Sequence, residues 1–398
     1  MKDLNKEILS DPLVSKVISV RGIEVYLVGG YLRDIIRGLR AKDIDFVVRG
    51  DLKGLTSMIA SEMGGSVVKF EKGELTRVIV DDSTIDFSEL KGRLEDDLYR
   101  RDFTMNAIAW SPERGIVDPL DGLSDIKKAR IRAISERNLI DDPLRLLRAY
   151  RFSAEMGWRI DLKTRYFVKK LKENIRLSAP ERITSELFRL LNSENYIRAL
   201  RVAFTDGLLT EILSIDKDRL ADNLKALSRL NSFLNKIHDS QKTYFNETFS
   251  QGLTYLGLLR VEQLLYRSDM ERNALRFSRH ISKRIKMISG LLDIIANRPN
   301  ITKGEAFDLL TAAGSGVMDI ALLSRRGRFV REAERFLMIR PLLRAEEIID
   351  ITGIRTGPEL GTIINEMRRG QFLGRIKDEE DARLLLQGIK KGLLKGHP

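Results

Sequence analysis

The sequence predicts a mixed N-terminal unit, α/β or α+β, followed by a long all-helical array. Three observations predict it. The first 135 residues alternate short β-type runs with helical patterns. From residue 136 onward, apolar positions recur at three and four and few convincing strands remain. The length, 398 residues, suits two or three domains.

The β-type runs of the first part are IEVYLVG, IDFVVRG, GSVVKFE, TRVIVDD and STIDFSEL, and LKGLTSMIASEMGG between them has helical spacing. In the second part, DDPLRLLRAYRFSAEMGW, LKTRYFVKKLKENI, APERITSELFRLLN and NYIRALRVAFTDGLLTEIL read as amphipathic helices. They are broken by NSEN, TDG and NRPN, and the last of these is a candidate boundary between two helical parts.

Composition narrows the chemistry. Hydrophobic residues are 43% and charged residues 32%, which is globular rather than disordered. No apolar stretch free of charge reaches the length of a membrane span, and the start lacks a signal-peptide core, so the expected location is cytoplasmic with no membrane partner. There is no cysteine, which excludes disulfides, thiolate zinc sites and cysteine nucleophiles. His238, His280 and His397 are far apart, which argues against a histidine metal cluster or a Ser-His-Asp triad. Carboxylates, arginines, lysines and backbone groups are left. The net charge of +12 favours a polyanionic partner, nucleic acid first, although charge alone equally fits a basic protein with none.

Asp43 and Asp45 are the first candidate site. On a strand, i and i+2 share a face, so both carboxylates project one way while Ile44, Phe46 and Val48 point into the core. A hard divalent cation such as Mg²⁺ would neutralise them. A solvated edge strand accounts for D-x-D equally well. Upstream, Gly29 and Gly30 separate the apolar run VYLV from the helical pattern YLRDIIRGL. Glycines let a phosphate approach the backbone and the helix N-terminus offers N–H groups, with Arg33 in the first turn and Arg37 one turn on. An ordinary strand-to-helix turn has the same pattern, which is neither GxGxxG nor a Walker A loop. Asp86, in a later β-type run, is a candidate third carboxylate. LEDDLYRRDFTMNAIAW then brings Arg100, Arg101, Asp102 and Asn106. Two arginines before a helical turn suit a triphosphate clamp, though a surface pair balanced by Glu95, Asp96 and Asp97 would read alike.

Taken together, LVGGYLRD, KDIDFVV, RRDFTMNAIA, DPLDGLSDIKKARIRAI, DDPLRLLRAYRFSAEMGW and ERITSELFRLL resemble, in order and spacing, the class II tRNA nucleotidyltransferases. These CCA-adding enzymes and their poly(A) polymerase relatives belong to the DNA polymerase β-like nucleotidyltransferase superfamily. The strong motifs cover residues 26–191, with a weaker echo at 353–382. The resemblance implies an α+β nucleotidyltransferase head over 1–135, a helical neck over 136–200, a helical body over 201–300 and a helical tail over 301–398. It implies Asp43 and Asp45 as metal ligands for Mg²⁺, with Asp86 as the third catalytic carboxylate. Gly29, Gly30 and Arg33 match the triphosphate loop, and Arg101 with Asn106 match a second phosphate-contacting block. Two-metal transfer from CTP, and from ATP in some members, to the 3′ end of tRNA would release pyrophosphate.

The base-reading motif also follows from hydrogen-bonding chemistry. In DDPLR, Pro143 is tolerated in a first helical turn, and Asp142 and Arg145, three apart, would share a helix face. Asp only accepts and Arg only donates. Cytosine and adenine both offer an amino donor beside a ring acceptor, which this pair complements. Uracil and guanine offer the reverse order and would meet mismatched groups. A capped helix with a solvated Asp–Arg pair is the commoner explanation outside a family context. Arg148, on the same helix, joins the nucleotide-binding set. The family usually has Glu-Asp where this chain has Asp141-Asp142.

The helical half carries basic clusters at 276–286 and 325–336 that would suit a tRNA backbone, although a charge run is more often only a solvated face. The interval from Asp86 to Arg100 is short. Relatives that add full CCA usually carry a longer flexible loop there, and some with it shortened add only the two cytidines. Three functions therefore compete: a CCA- or CC-adding tRNA nucleotidyltransferase, a poly(A) polymerase, and a non-catalytic RNA-binding protein. The sequence leaves the oligomeric state open.

Overall fold

The computed structural model describes residues 4–41, 43–69, 75–234, 239–250 and 252–395. His238, His397, Lys42 and the end of the GSVVKFE run lie outside them. The chain divides into two compact units, Met1–Asp216 with Glu271–Arg276, and Lys217–Met270 with Phe277–Pro398.

The first unit is built on a seven-stranded sheet of order β3-β4-β5-β2-β1-β6-β7. Its strands are β1 (Glu24–Val28), β2 (Asp43–Arg49), β3 (Ser66–Lys69), β4 (Leu75–Val80), β5 (Ser83–Glu89), β6 (Ala109–Ser111) and β7 (Gly115–Val117). All pairs are antiparallel except β2 with β5. Alternation places Ile44, Phe46 and Val48 on one face, where Phe46 stacks on Phe87 at 5.6 Å between centroids. Helix Leu52–Glu62 packs on β3, β4 and β5 and buries Leu55 and Ile59.

Val47 is the third member of the face that carries Asp43 and Asp45, and it is buried. It packs with Tyr26, Val28, Leu94 and Leu98, the last two from helix Leu94–Tyr99. This face of β2 is thus covered at its C-terminal end and open at its N-terminal end. The aspartates occupy the open end.

Helices complete the unit. Glu136–Asp141 is followed by Leu144–Met156, which packs against Pro180–Asn192 and Tyr196–Thr205. The run NYIRALRVAFTDGLLTEIL splits at Gly207, whose φ of 82° is a left-handed conformation that ends one helix before Leu208–Leu213 begins. A two-residue pairing of β8 (Arg130–Ile131) with β9 (Arg159–Ile160) adds a short strand, β9, to the stretch after residue 136 that was expected to be helical.

Among its described residues, the second unit is helical apart from a small hairpin of β10 (Thr248–Ser250) and β11 (Leu253–Thr254). Its C-terminal part is a cluster of Leu343, Ile348, Leu360, Ile363, Met367 and Leu386. One stretch, Lys303–Leu323, has the length and mean hydropathy of a membrane span, and 72% of its apolar window is buried within the protein. It consists of two core helices, Lys303–Ala313 and Val317–Leu323. Arg284, from the basic cluster at 276–286, is not on the surface. It is buried between Glu262 and Asp319, to which it donates at 2.8 and 2.5 Å. Burial is the main force raising both acids above the usual carboxylate range, with Asp319 pushed up to about 6.

Candidate active site

The site begins where β1 ends. Val28 pairs with Asp45 across the sheet, and the chain turns at Gly29 into helix Gly30–Ile36. Gly29 has φ 76°, and a Cβ there would lie 3.1 Å from Arg101 Nη1 and 3.3 Å from Asp45 Oδ2. Both the backbone conformation and the close approach of two side chains therefore call for glycine.

The eleven residues singled out from the sequence all line one cleft of about 890 Å³: Gly29, Gly30, Arg33, Asp43, Asp45, Asp86, Arg101, Asn106, Asp142, Arg145 and Arg148. The volume lies at the upper end of the range for ligand pockets, about 300–1,000 Å³. Asp43 accepts from Thr84 Oγ1 at 3.1 Å. Asp45 lies beside Asp86 through the parallel β2–β5 register. Burial, followed by the charges of Asp86 and Asp43, pushes the Asp45 carboxyl up to about 6 against the opposing pull of Arg101. Among the described residues no group hydrogen-bonds that carboxylate. A desolvated carboxylate crowded by two others is the environment that a divalent cation relieves, and the all-oxygen donors suit a hard one. Asp43 and Asp45 therefore fit a metal. Asp86 is engaged elsewhere, since both its oxygens accept from Arg77, Nε and Nη2 at 2.7 Å each.

The phosphate-binding candidates form a connected network. Arg33 donates through Nε and Nη2 to Asp34 at 3.0 and 2.8 Å and through Nη1 to Asn106 Oδ1 at 2.7 Å. Asn106 Nδ2 donates to Asp102 Oδ1 at 2.9 Å, and Arg148 donates through Nε and Nη2 to Asp102 Oδ2 at 3.0 and 2.7 Å. Asp102 thus ties helix Leu144–Met156 to the Gly-Gly turn. Burial alone would raise its pKa, but the charge of Arg148 and bonds from Asn106, Arg148 and the Phe103 N–H outweigh that and hold it at about 2. The Arg100–Arg101 pair is divided. Arg101 is held by Asp97 and lines the cleft, whereas Arg100 is 65% exposed and does not line it.

The candidate base-reading pair is built differently from the sequence expectation. Asp142 is not on the helix with Arg145. It caps Glu136–Asp141 in an extended conformation, φ −134° and ψ 94°, and Pro143 precedes helix Leu144–Met156. The residue before a proline is driven out of helical space by the ring. Asp142 pairs with Arg182 at 3.1 Å. Arg145 Nη1 donates to the Asn138 carbonyl at 3.0 Å. Both side chains still reach the cleft, each fixed by a separate partner.

Sequence reasoning assigned no role to Arg77, Asp102 or Arg182. Each carried a faint signal: a charge inside the alternating TRVIV, the acid within RRDF, and the Arg of ERITSEL. None can be paired without knowing which strands and helices are neighbours.

Two family models match the chain. The Poly A polymerase head domain covers residues 25–132, and the probable RNA and SrmB-binding site of polymerase A covers 157–216. A CC-adding tRNA nucleotidyltransferase of Synechocystis is 28% identical over 92% of this chain and 93% of its own. These matches support the class II tRNA nucleotidyltransferase family.

Further tRNA nucleotidyltransferases are similar at comparable identity. A CCA-adding enzyme of Leuconostoc mesenteroides is 25% identical over 94% of both chains, and an A-adding tRNA nucleotidyltransferase of Deinococcus radiodurans is 27% identical over 91% of this chain and 94% of its own. Among solved structures, the Thermotoga maritima CCA-adding enzyme complexed with tRNA shares the fold, with a TM-score of 0.76 and 20% identity over 97% of this chain and 98% of that one. A CCA-adding enzyme in complex with CTP has a TM-score of 0.74 and 21% identity over 96% and 97%. The nucleotidyltransferase head and helical remainder expected from sequence are the fold of this family.

Proposed function

We propose that this chain is a template-independent tRNA nucleotidyltransferase that transfers cytidine from CTP to the 3′ end of tRNA, with pyrophosphate leaving, and that it stops after CC. The observation carrying the reaction is that one cleft joins the Asp43–Asp45 carboxylates, the Gly-Gly turn with its arginines, and the Asp142–Arg145 acceptor and donor. Asp43 and Asp45 would hold Mg²⁺, which when bound supplies the Lewis acid that lowers the pKa of the attacking 3′-hydroxyl. Gly29 and Gly30 admit the triphosphate to the backbone. Arg33 and Arg101 orient it and offset the charge that builds on the departing pyrophosphate. Asp142 accepts from the cytosine amino group and Arg145 donates to its ring acceptors, so no template is required. The head at 1–135 and neck at 136–200 carry this chemistry in our reading, and the body and tail, 201–300 and 301–398, hold the tRNA in the cytoplasm.

The CC-only reading rests on the connection between β5 and helix Leu94–Tyr99. It is four residues, Leu90–Arg93, and Leu90 and Leu94 are both buried in the core. A connector so short and so anchored has no room for the flexible loop linked to the switch from CTP to ATP. The CC-adding Synechocystis relative agrees with this reading. The test is a gel of tRNA ending before CCA, incubated with CTP, ATP or both. Two added nucleotides with CTP, and no further one with ATP, is the expected result. A terminal A overturns the CC-only reading, long A tails favour a poly(A) polymerase, and binding without extension favours an inactive RNA-binding protein.

A further inference from the structure

Three strands bring a row of charges to the floor of the cleft. The β2–β5 register sets Asp45 beside Asp86, and the β4–β5 register sets Arg77 opposite Asp86. Arg77 belongs to none of the motifs that carry the family resemblance. Its guanidinium takes both Asp86 oxygens in a two-point fork at 2.7 Å each, and the three residues line the same cleft. Among the described residues no three carboxylates or histidines converge in a metal-ligating group, although Asp43 and Asp45 on β2 adjoin Asp86 on β5.

We propose that Arg77 is a positioning residue that withholds Asp86 from the cation site, keeping it a two-carboxylate site until nucleotide arrives. This rests on the reading of Asp43 and Asp45 as metal ligands. The physical reason lies in what each ligand count does. Mg²⁺ in phosphoryl-transfer sites is held by one or two carboxylates and keeps its remaining positions for water and substrate phosphates. A third carboxylate would tighten the cation on the empty enzyme and fill a position that a phosphate oxygen or the attacking hydroxyl needs. A fork from arginine is the strongest way to occupy a carboxylate without removing it, because two parallel charge-assisted bonds fix both oxygens. Lysine, with one compact ammonium, would leave one oxygen available. Asp86 then acts as the anchor that keeps Arg77 at the cleft floor, and the pair leaves a charge of −2 on Asp43 and Asp45 for a divalent cation to balance.

The test measures Mn²⁺ binding to the nucleotide-free protein by the electron paramagnetic resonance signal of free Mn²⁺, which needs no turnover. Arg77→Gln should bind Mn²⁺ about tenfold more tightly than wild type, the scale on which an added carboxylate tunes an oxygen-ligand site. The gain should vanish in the Arg77→Gln/Asp86→Asn double variant. Arg77→Lys, which keeps the charge and loses the fork, should show a smaller tightening of about threefold, and it decides the matter if Arg77→Gln fails to fold in a thermal melt. Affinity within twofold of wild type in the folded variants overturns the proposal. So does a gain that persists in the double variant, since Asp86 would then not be its source, and so does the absence of any tightening in Arg77→Lys, since the effect would then be charge acting through space. Asp45→Asn separates the two ideas: it should abolish tight Mn²⁺ binding, and if it does not, the metal assignment itself is wrong.

Discussion

Replacing Asp102 by Asn removes the charge from the junction between helix Leu144–Met156 and the Gly29–Gly30 turn while preserving volume. In the wild type, Oδ1 accepts from Phe103 N at 2.8 Å and Asn106 Nδ2 at 2.9 Å, and Oδ2 accepts from two nitrogens of Arg148. Asparagine can keep the first oxygen's bonds but turns an NH₂ donor toward a guanidinium that only donates. Breaking one side of a buried ion pair costs about 3–5 kcal/mol. Arg148 is 30% exposed and also lies 3.4 Å from Glu186, so water and that second acid offset part of the loss. The lower figure of about 2–3 kcal/mol is expected, or a fall of roughly 5–10 °C in the melting temperature for a unit of this size. The pH dependence has a definite sign. The Asp102 pKa, about 2, is below the ordinary aspartate value of 3.8, so its stabilisation is complete above that ordinary value and fades as pH falls toward 2. Differential scanning calorimetry between pH 3 and 7, with KM for CTP at neutral pH, tests this. The gap between wild type and variant should narrow below about pH 4, and KM should rise because Arg148, which lines the cleft, loses its anchor. A variant that melts within about 2 °C of wild type at pH 7, with unchanged KM, refutes the view of Asp102 as a junction.

Further expectations concern single groups. Asp43→Ala should abolish nucleotide transfer while leaving tRNA affinity near normal, and equal activity would overturn the metal assignment. Arg145→Ala should loosen the preference for CTP over UTP by about 10-fold or more, the cost of one lost hydrogen bond to a base in a desolvated site, read as a ratio of kcat/KM. Gly29→Ala should lose about 1 kcal/mol or more of stability from its positive φ and raise KM for CTP, because the new methyl crowds Arg101 and Asp45. Mn²⁺ affinity of the wild type should fall as pH drops through about 6, since Asp45 must give up its proton to bind. An affinity flat from pH 5 to 7.5 would count against Asp45 as a ligand.

Much of the site was legible because its residues are close in sequence or act through the local backbone. Asp43 and Asp45 share a face by the period of a strand, and Gly29 and Gly30 announce a turn that no other residue makes as cheaply. Pairing partners were less legible. Asp142 and Arg145 looked like neighbours on a helix, yet the proline ring between them places Asp142 outside it, where Arg182 of another helix takes it. Arg284 looked like part of a basic surface and proved to be an interior cation held by two acids. Position in a charge run says nothing about which side of a helix faces the core when the compensating acids come from distant segments.

By itself, then, the sequence determined the mixed head, the helical remainder, the family and the residues that gather in the cleft, because periodicity, glycine conformation and motif spacing are local properties of the chain. Only the tertiary structure decided how those residues are held. Strand register sets Asp86 against Arg77, and the Pro180–Asn192 helix brings Arg182 to Asp142. Asp102 links two elements 46 positions apart through Arg148. Such contacts depend on which elements pack together, and a carboxylate's charge, orientation and freedom to bind a metal depend on those contacts rather than on its neighbours in sequence.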